Sequence, residues 1–305
     1  MPTAVSPLAH SAPPAFPVPA PLPVLAEAAW QAREAAHRER VCPPVAAFQE
    51  RRARGESHPV WDFLFVYYGT NRCTLTAWRP PVGVALAGDA ARLFGKKVPG
   101  RRVEGGWTLD LAALTADDRR RFAFVRQLLS AALARPPRFG CFGLHEWAMV
   151  YRAPADRRHQ IPLRMDPTAL AAFVESQTIC CSHYDAFRFF TPPARPRNTL
   201  QPGKNDRPAF EQFGCVHLAM DLYKWCYKLH PWLSSELTAD CFALAQTARE
   251  LDMRASPYDL RAYGFAPVCI ETPEGRATYV REQERIATAA MALAKRLLDE
   301  LAVLG

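Results

Sequence analysis

The sequence predicts a mainly α-helical protein with a small β component, an α+β fold. Three observations predict it. Long segments carry apolar residues at helical spacing between capping residues, a few short apolar runs lie between glycines and prolines, and no internal repeat is found. We expect one globular catalytic domain over residues 25–305, preceded by a disordered tail over residues 1–24.

The proposed tail is rich in proline. Residues 1–24 hold eight prolines and no lysine or arginine. A secretory signal needs a basic start and an unbroken apolar core, and the prolines interrupt this one, so we predict a partly polyproline, disordered segment.

The first half of the domain alternates helices with short apolar runs. "LAEAAWQAREAAHRERV" and "CPPVAAFQERRARGE" have helical patterning, and "HPVWDFLFVYYG" predicts a buried helix. The runs "VGVALAGDAA" and "WTLDLAAL" predict a small hairpin. Residues 115–134 predict a helix, with Thr115 as its cap, acidic residues in the first turn and Pro136 beyond its end.

The second half is predicted to be helical around one strand. Helices are expected over 166–177, over 214–229, and over the segments "SSELTADCFALAQTARELDMRAS" and "PEGRATYVREQERIATAAMALAKRLLDELAVL". Residues 178–191, "TICCSHYDAFRFFT", predict a strand, because they are rich in β-branched and aromatic residues and end at two prolines.

Composition limits the class of protein. The 305 residues are 49% hydrophobic and 22% charged, which is ordinary for a globular protein, and no apolar run is long enough to span a membrane. The formal charge of +8 is compatible with an anionic partner such as nucleic acid, although genome composition alone can also produce it.

Nine scattered cysteines without a C-x-x-C pair resemble small buried hydrophobes in a reducing cytoplasm. They do not have the spacing of a structural zinc site.

Ionisable residues recur inside hydrophobic segments. His217 and Asp221 lie four residues apart in the apolar helix 214–229, so both side chains are on one face. Burying an ionised aspartate costs several kcal/mol without a partner, and a histidine neighbour lowers that cost. Such a pair can simply stabilise a core.

Two further pairs favour a functional site. His183 and Asp185 would share one face of the predicted strand, and His145 precedes Glu146 in "GLHEWAM". Three His-carboxylate pairs are difficult to explain by core packing alone, so we expect at least two of them to converge on one site.

Two chemistries suit such a cluster. A carboxylate can activate water while a histidine or arginine stabilises the leaving group. Alternatively, histidines and carboxylates can bind a divalent metal such as iron, as in a non-haem iron oxidoreductase acting on a small molecule. In that case the ligands would come from His145, Glu146, His183, Asp185, His217 and Asp221.

A basic, aromatic region accompanies the pairs. The loop "ARPRNTLQPGKNDR" and nearby positions could contact phosphates, and neighbouring aromatic side chains could stack on a base. A solvated loop beside an aromatic core would give the same pattern. "DMRASPYDL" adds Asp252 and Arg254, which we expect to cap a helix end.

Several enzyme classes lack their sequence motifs. The chain contains no glycine-rich phosphate loop, no G-x-G-x-x-G and no G-x-S-x-G. ATP, dinucleotide and serine-hydrolase functions therefore lose support. The absence of H-x-E…P-C-x-x-C argues against a zinc deaminase.

Long blocks of the chain resemble a known family. "HPVWDFLFVYY", "GCFGLHEWAMVYR", "CSHYDAFRFFTPPARPRNTL", "GCVHLAMDLYKWCYKL" and "LDMRASPYDL" are similar to segments of bacterial proteins, frequent in actinobacteria, that carry the name 3-methyladenine DNA glycosylase. The resemblance covers roughly residues 25–305.

The resemblance implies removal of alkylated purines from DNA without a cofactor. The catalytic residues would then be Glu146, His183, Asp185, His217 and Asp221, with a carboxylate that stabilises the sugar cation. DNA would be bound by Arg188, Arg195, Arg197, Lys204 and Lys224, with Trp147, Tyr184 and Trp225 as stacking surfaces.

Overall fold

The computed structural model describes residues 22–153 and 161–304 and confirms the mainly α fold with a small β component. The four strands are β1 (Val24–Leu25), β2 (Ala85–Leu86), β3 (Gly100–Val103) and β4 (Gly106–Leu109). The α-helices in the described ranges are α1 (Glu27–Ala53), α2 (Phe63–Val66), α3 (Arg72–Thr76), α4 (Ala116–Leu133), α5 (Leu144–Ala148), α6 (Pro167–Glu175), α7 (Tyr184–Phe187), α8 (Arg207–Phe210), α9 (Val216–Lys228), α10 (Ser235–Arg254) and α11 (Pro273–Ala302).

Helix α9 lies at the centre of the largest core. It packs against α10 and α11, and the side chains from Val216 to Cys226 are all buried. The sequence explains this position, because apolar residues surround the helix axis and no face is wholly polar. The ionisable residues of α9 are therefore held inside the protein.

Helix α4 begins where the sequence predicts. The Thr115 side chain accepts a hydrogen bond from the Asp118 amide, and the Asp118 carboxylate accepts one from the Thr115 amide. This reciprocal capping box satisfies two amides that have no partner within the helix.

The small sheet has the strand order β1-β2-β4-β3. The two predicted segments pair in antiparallel fashion, with Leu86 opposite Trp107, and β3 and β4 form a tight hairpin. Gly106 is required there, because a Cβ atom at this position would lie 1.8 Å from the carbonyl oxygen of Leu86. A second, smaller core of Trp30, Trp78, Leu86 and Ala90 lies in this part of the molecule.

Three predictions about local structure were wrong or lie outside the described residues. Residues 178–191 form no strand, and their regular part is the single helical turn α7. In "HPVWDFLFVYYG" only Phe63–Val66 is helical. The predicted tail falls on the undescribed residues 1–21, and its proposed last residue, Val24, is part of β1.

Within the described ranges, no helix combines the length and the apolar character that crossing a membrane requires.

Candidate functional site

Asp221 on α9 is the centre of a buried set of charges, which we call the Asp221 cluster (His183, Asp185, Arg207, Glu211, Asp221 and Lys224). One Asp221 carboxylate oxygen, Oδ2, lies 2.7 Å from Nη2 of Arg207 and 3.2 Å from Nε2 of His183. The same oxygen accepts a hydrogen bond from Nζ of Lys224, and Tyr68 donates its hydroxyl to Oδ1 at 3.1 Å. With its side chain only 1% exposed, Asp221 is stabilised by these four donors in place of water.

The other two carboxylates of the Asp221 cluster share the same cations. Asp185 Oδ2 lies 3.2 Å from Lys224 Nζ and 3.3 Å from Arg207 Nη1. Glu211 accepts a hydrogen bond from Arg207 Nε at 2.7 Å. Asp185 also pairs with Arg188 at 3.2 Å, so the three carboxylates face two guanidinium groups, one ammonium and one imidazole.

These contacts keep Asp221 and Asp185 ionised. Burial alone would raise the pKa of Asp221, but Lys224 and His183 outweigh it and hold that pKa well below its usual range. The pKa of Asp185 is also lowered, because Lys224 and Arg207 outweigh its partial burial and the repulsion of Asp221.

A second buried set lies on the other side of His217, and we call it the Asp252 cluster (His145, Glu146, Arg249 and Asp252). His145 Nε2 lies 2.6 Å from Asp252 Oδ1. Arg249 Nη1 donates to Glu146 Oε1 and to Asp252 Oδ2, each at 3.0 Å. Helices α5 and α10, far apart along the chain, supply these side chains.

The Asp252 cluster contains groups with opposite pKa shifts. Burial disfavours a charged His145, but Asp252 outweighs it and raises the pKa of His145 well above its usual value. Burial raises the pKa of Glu146, although Arg249 opposes this shift. The pKa of Asp252 is lowered, since the charge and hydrogen bond of His145, together with Arg249, outweigh its burial.

His217 joins the two clusters. Its ring centroid lies 4.4 Å from that of His145 and 5.3 Å from that of His183. Burial and the neighbouring His145 lower its pKa well below the usual value, so the ring is neutral. Its Nδ1 is buried and has no hydrogen-bond partner among the described residues. The predicted convergence of distant His-carboxylate pairs therefore holds geometrically.

A narrow aromatic cleft reaches this network from the surface. Its volume is about 20 Å³, room for about one water molecule. Asp185, whose side chain is 18% exposed, lies in the cleft with Glu146, His217 and Arg249. The remaining lining residues are Phe63, Tyr67, Met149 and Phe189.

The basic residues predicted to bind DNA are spread over different environments. Arg188, Arg195 and Lys204 are exposed, and Arg197 is half-buried and donates to the Glu175 carbonyl. Arg188 lies at the cleft, where its Nη2 donates to the Tyr67 hydroxyl at 3.0 Å. Lys224 is buried and belongs to the Asp221 cluster.

The three aromatic residues predicted to stack on a base differ in their burial. Trp147 is fully buried, and its Nε1 donates to the Ala255 carbonyl at 2.9 Å, so it is a core residue and the prediction of a stacking role was wrong. Trp225 is 8% exposed and Tyr184 is half-buried. The cleft takes its aromatic surface from Phe63, Tyr67 and Phe189.

Sequence reasoning missed several members of the network. Asp252 does not cap a helix but lies fully buried against His145. Arg207, assigned to a phosphate-binding loop, is buried and bonded to carboxylates. Glu211, Arg249 and Tyr68 were not singled out. A signal existed for one of them, since Arg249 and Asp252 lie three apart on α10 in a segment that is otherwise apolar on that face.

Among the described residues, two groups of side chains have donor atoms close enough to hold a metal ion. The first is His145, Glu146, His217 and Asp252, and the second is His183, Glu211 and Asp221. Within each group the candidate ligand atoms all lie within 4.8 Å of one another. Asp185, a predicted ligand, belongs to neither group.

Neither a protein-family model, nor a curated protein, nor a solved structure matches this chain.

Proposed function

We propose that the protein is an N-glycosylase that removes cationic alkylated purines, such as 3-methyladenine, from DNA. The observation that carries the proposal is Asp185, an ionised carboxylate with an 18% exposed side chain in an aromatic cleft. A carboxylate with this charge and this access can face the sugar cation that develops as the base departs.

Asp185 is a better candidate than Asp221 for the reacting carboxylate. Asp221 is buried and already accepts hydrogen bonds from four donors. Asp185 shares Lys224 and Arg207 with it but also reaches the cleft. In the proposed mechanism Asp221 therefore positions the two cations, and Asp185 stabilises the sugar cation and orients the attacking water.

The aromatic side chains suit a cationic base. Phe63 and Tyr67 stack with their ring centroids 4.8 Å apart, and Phe189 lies on the same cleft. A positively charged purine gains both stacking and cation–π attraction on such rings.

The cleft itself holds only about one water molecule. An adjoining cavity of about 500 Å³ shares Phe63 and Tyr67 with it and is large enough for an extruded purine.

Basic residues at the cleft suit the DNA backbone. Arg188 is exposed, and its guanidinium carbon lies 4.3 Å from the centroid of the Phe189 ring. Arg195 is also exposed and donates to the Arg188 carbonyl at 3.3 Å. The formal charge of +8 adds a long-range attraction to DNA.

The proposal is tested by measuring release of the methylated base from N-methylated duplex DNA in the presence of a chelator. Asp185→Asn should lower the rate by roughly 100-fold or more, the range expected for a lost catalytic group. Asp89 is an exposed aspartate that is distant from Asp185 in the sequence. Asp89→Asn is therefore the matched control and should keep the wild-type rate. No release by the wild type, or full activity of Asp185→Asn, would overturn the proposal.

A second function is favoured by the group His145, Glu146, His217 and Asp252. Neutral imidazoles and carboxylates are the ligands of non-haem iron, and His217 is both neutral and without a partner at Nδ1. In that function the protein would be a metal-dependent oxidoreductase acting on a small molecule. Against it, Arg249 already forms ion pairs with both Glu146 and Asp252.

Elemental analysis of the untagged protein separates the two functions. Stoichiometric iron or manganese that is lost in His217→Ala supports the oxidoreductase. Base release that continues in chelated protein supports the glycosylase.

A further inference from the structure

A second cavity lies between α4 and α9, away from the aromatic cleft. Its volume is about 270 Å³. Phe124, Trp225 and Leu229 give it an apolar surface, and the other lining residues are Arg120, Arg121 and Lys228. Its lining thus includes three cations and, in the part of the chain that the structure describes, no carboxylate.

The charge of this cavity is not balanced by its neighbours. Asp117 pairs with both Arg120, at 3.0 Å, and Arg121, so one carboxylate serves two guanidinium groups. Lys228 is exposed and forms no ion pair within residues 22–153 and 161–304, although the charges of Asp221 and Asp185 act on it. Burial and then the charge of Lys224 lower the pKa of Lys228, as expected where cations are crowded. Among the described residues, the three lining cations thus have Asp117 as their single ion-pair partner.

Trp225 provides a second, independent indication of a ligand. The residue is 8% exposed, and its Nε1 is buried without a hydrogen-bond partner among the described residues. A buried donor without an acceptor is unfavourable by about 1–3 kcal/mol, so such groups are nearly always satisfied. Since Trp225 lines the cavity, we expect an acceptor oxygen of a ligand there to satisfy it.

The side chains of Lys224 and Lys228 also crowd the Trp225 ring. The Nζ atom of Lys224 lies 4.6 Å from the centroid of the Trp225 ring, and the Nζ atom of Lys228 lies 5.7 Å from it. Phe124 packs edge-on at 5.6 Å. An anion in the cavity would therefore lie beside the Trp225 ring and near the exposed cationic groups of Arg120, Arg121 and Lys228.

We propose that this cavity binds a phosphate group, carried by a nucleotide or by a polynucleotide strand. Phosphate oxygens accept charge-assisted hydrogen bonds from guanidinium and ammonium groups, and a phosphate offers enough acceptors for Arg120, Arg121, Lys228 and Trp225 together. The inference does not depend on the glycosylase function.

The cavity is nevertheless connected to the aromatic cleft through one side chain. Lys224 contacts the Trp225 ring and lies 3.2 Å from Asp185. Lys224 would thus lie between a phosphate bound in the cavity and Asp185, the proposed reacting carboxylate.

The test is isothermal calorimetry at low salt with three probes: inorganic phosphate, adenosine monophosphate and a short single-stranded oligonucleotide. The double variant Arg120→Ala/Arg121→Ala should weaken binding roughly tenfold or more, the loss expected for charged hydrogen bonds. The control variant Arg281→Ala/Arg285→Ala removes two exposed arginines from α11, and it lowers the formal charge by as much as Arg120→Ala/Arg121→Ala does. It should bind the probes as tightly as the wild type. Trp225→Phe keeps an aromatic ring without the N–H and should also bind more weakly.

Each outcome is decisive. Tighter binding of the oligonucleotide than of the mononucleotide, with the loss confined to the cavity variants, identifies a strand, and the reverse identifies a small phosphorylated ligand. Absence of saturable binding to all three probes overturns the proposal. An equal loss in both double variants also overturns it, because general electrostatic attraction would then suffice.

Discussion

Asp221→Asn is the perturbation that probes the buried network most sharply. The substitution preserves the shape of the side chain but removes its charge. Lys224, Arg207 and His183 then lose their shared acceptor, Oδ2, in a site where Asp221 is only 1% exposed. Water cannot replace the missing carboxylate there, so the cost is that of a broken buried ion pair.

The expected loss is about 3–5 kcal/mol in the free energy of unfolding, the usual cost of leaving buried charges without their partner. This is a large fraction of the roughly 5–15 kcal/mol that stabilises a typical domain. Urea unfolding at neutral pH, followed by tryptophan fluorescence and circular dichroism together, measures it.

Asp240→Asn is the matched control. Asp240 also pairs with two arginines, Arg40 at 2.6 Å and Arg296 at 2.7 Å, but its side chain is 29% exposed. Solvent screens such pairs, and the loss should be about 1 kcal/mol or less. If Asp221→Asn were no more destabilising than Asp240→Asn, the view that Asp221 organises the network would be refuted.

Three further predictions follow from single residues. Trp147→Ala should lower the free energy of unfolding by about 3–5 kcal/mol in urea, because a fully buried indole leaves a cavity, while DNA affinity of the folded protein should not change. Burial, with Arg79 and Lys97, lowers the pKa of His230 to about 3. Below about pH 6.5 the unfolded chain binds a proton at His230 and the folded protein does not, so the free energy of unfolding decreases as the pH falls. His230→Gln should reduce this decrease by about 1.4 kcal/mol per pH unit between pH 6 and 4.5. The same pH dependence of stability in His230→Gln and in the wild type would contradict the lowered pKa. Arg188→Ala should weaken DNA binding in an anisotropy titration, and it should reduce the salt dependence of the binding constant by the equivalent of about one phosphate contact. An unchanged salt dependence would show that Arg188 does not contact the DNA backbone.

The helical framework could be predicted because its signals are local. The capping box at Thr115 depends on residues within one helical turn, and the apolar character of α9 is visible within its own sequence. The error at residues 178–191 arose because aromatic and β-branched residues favour a strand only where a partner strand is present. The extended pairing in this segment is limited to the single bridge between Ile179 and Asn198, and the helical turn α7 begins directly after His183.

The site could be predicted in part. His217 and Asp221 were found because polar residues inside an apolar helix are conspicuous. Arg207, by contrast, lies in a stretch rich in basic and polar residues, where nothing local distinguishes a buried arginine from a solvated one. Its burial depends on Glu211 and Asp221, a contact set by the tertiary structure.

The most direct test of the proposed role of Asp185 uses DNA that carries a positively charged pyrrolidine in place of one deoxyribose. The pyrrolidine mimics the sugar cation, and a neutral tetrahydrofuran at the same position is the reference. Wild-type protein should bind the cationic analogue roughly 100-fold more tightly than the neutral one, as expected for a transition-state mimic, and Asp185→Asn should lose that preference while retaining affinity for the neutral DNA. Equal affinities for the two DNAs in the wild type, or an undiminished preference in Asp185→Asn, would contradict the proposed mechanism.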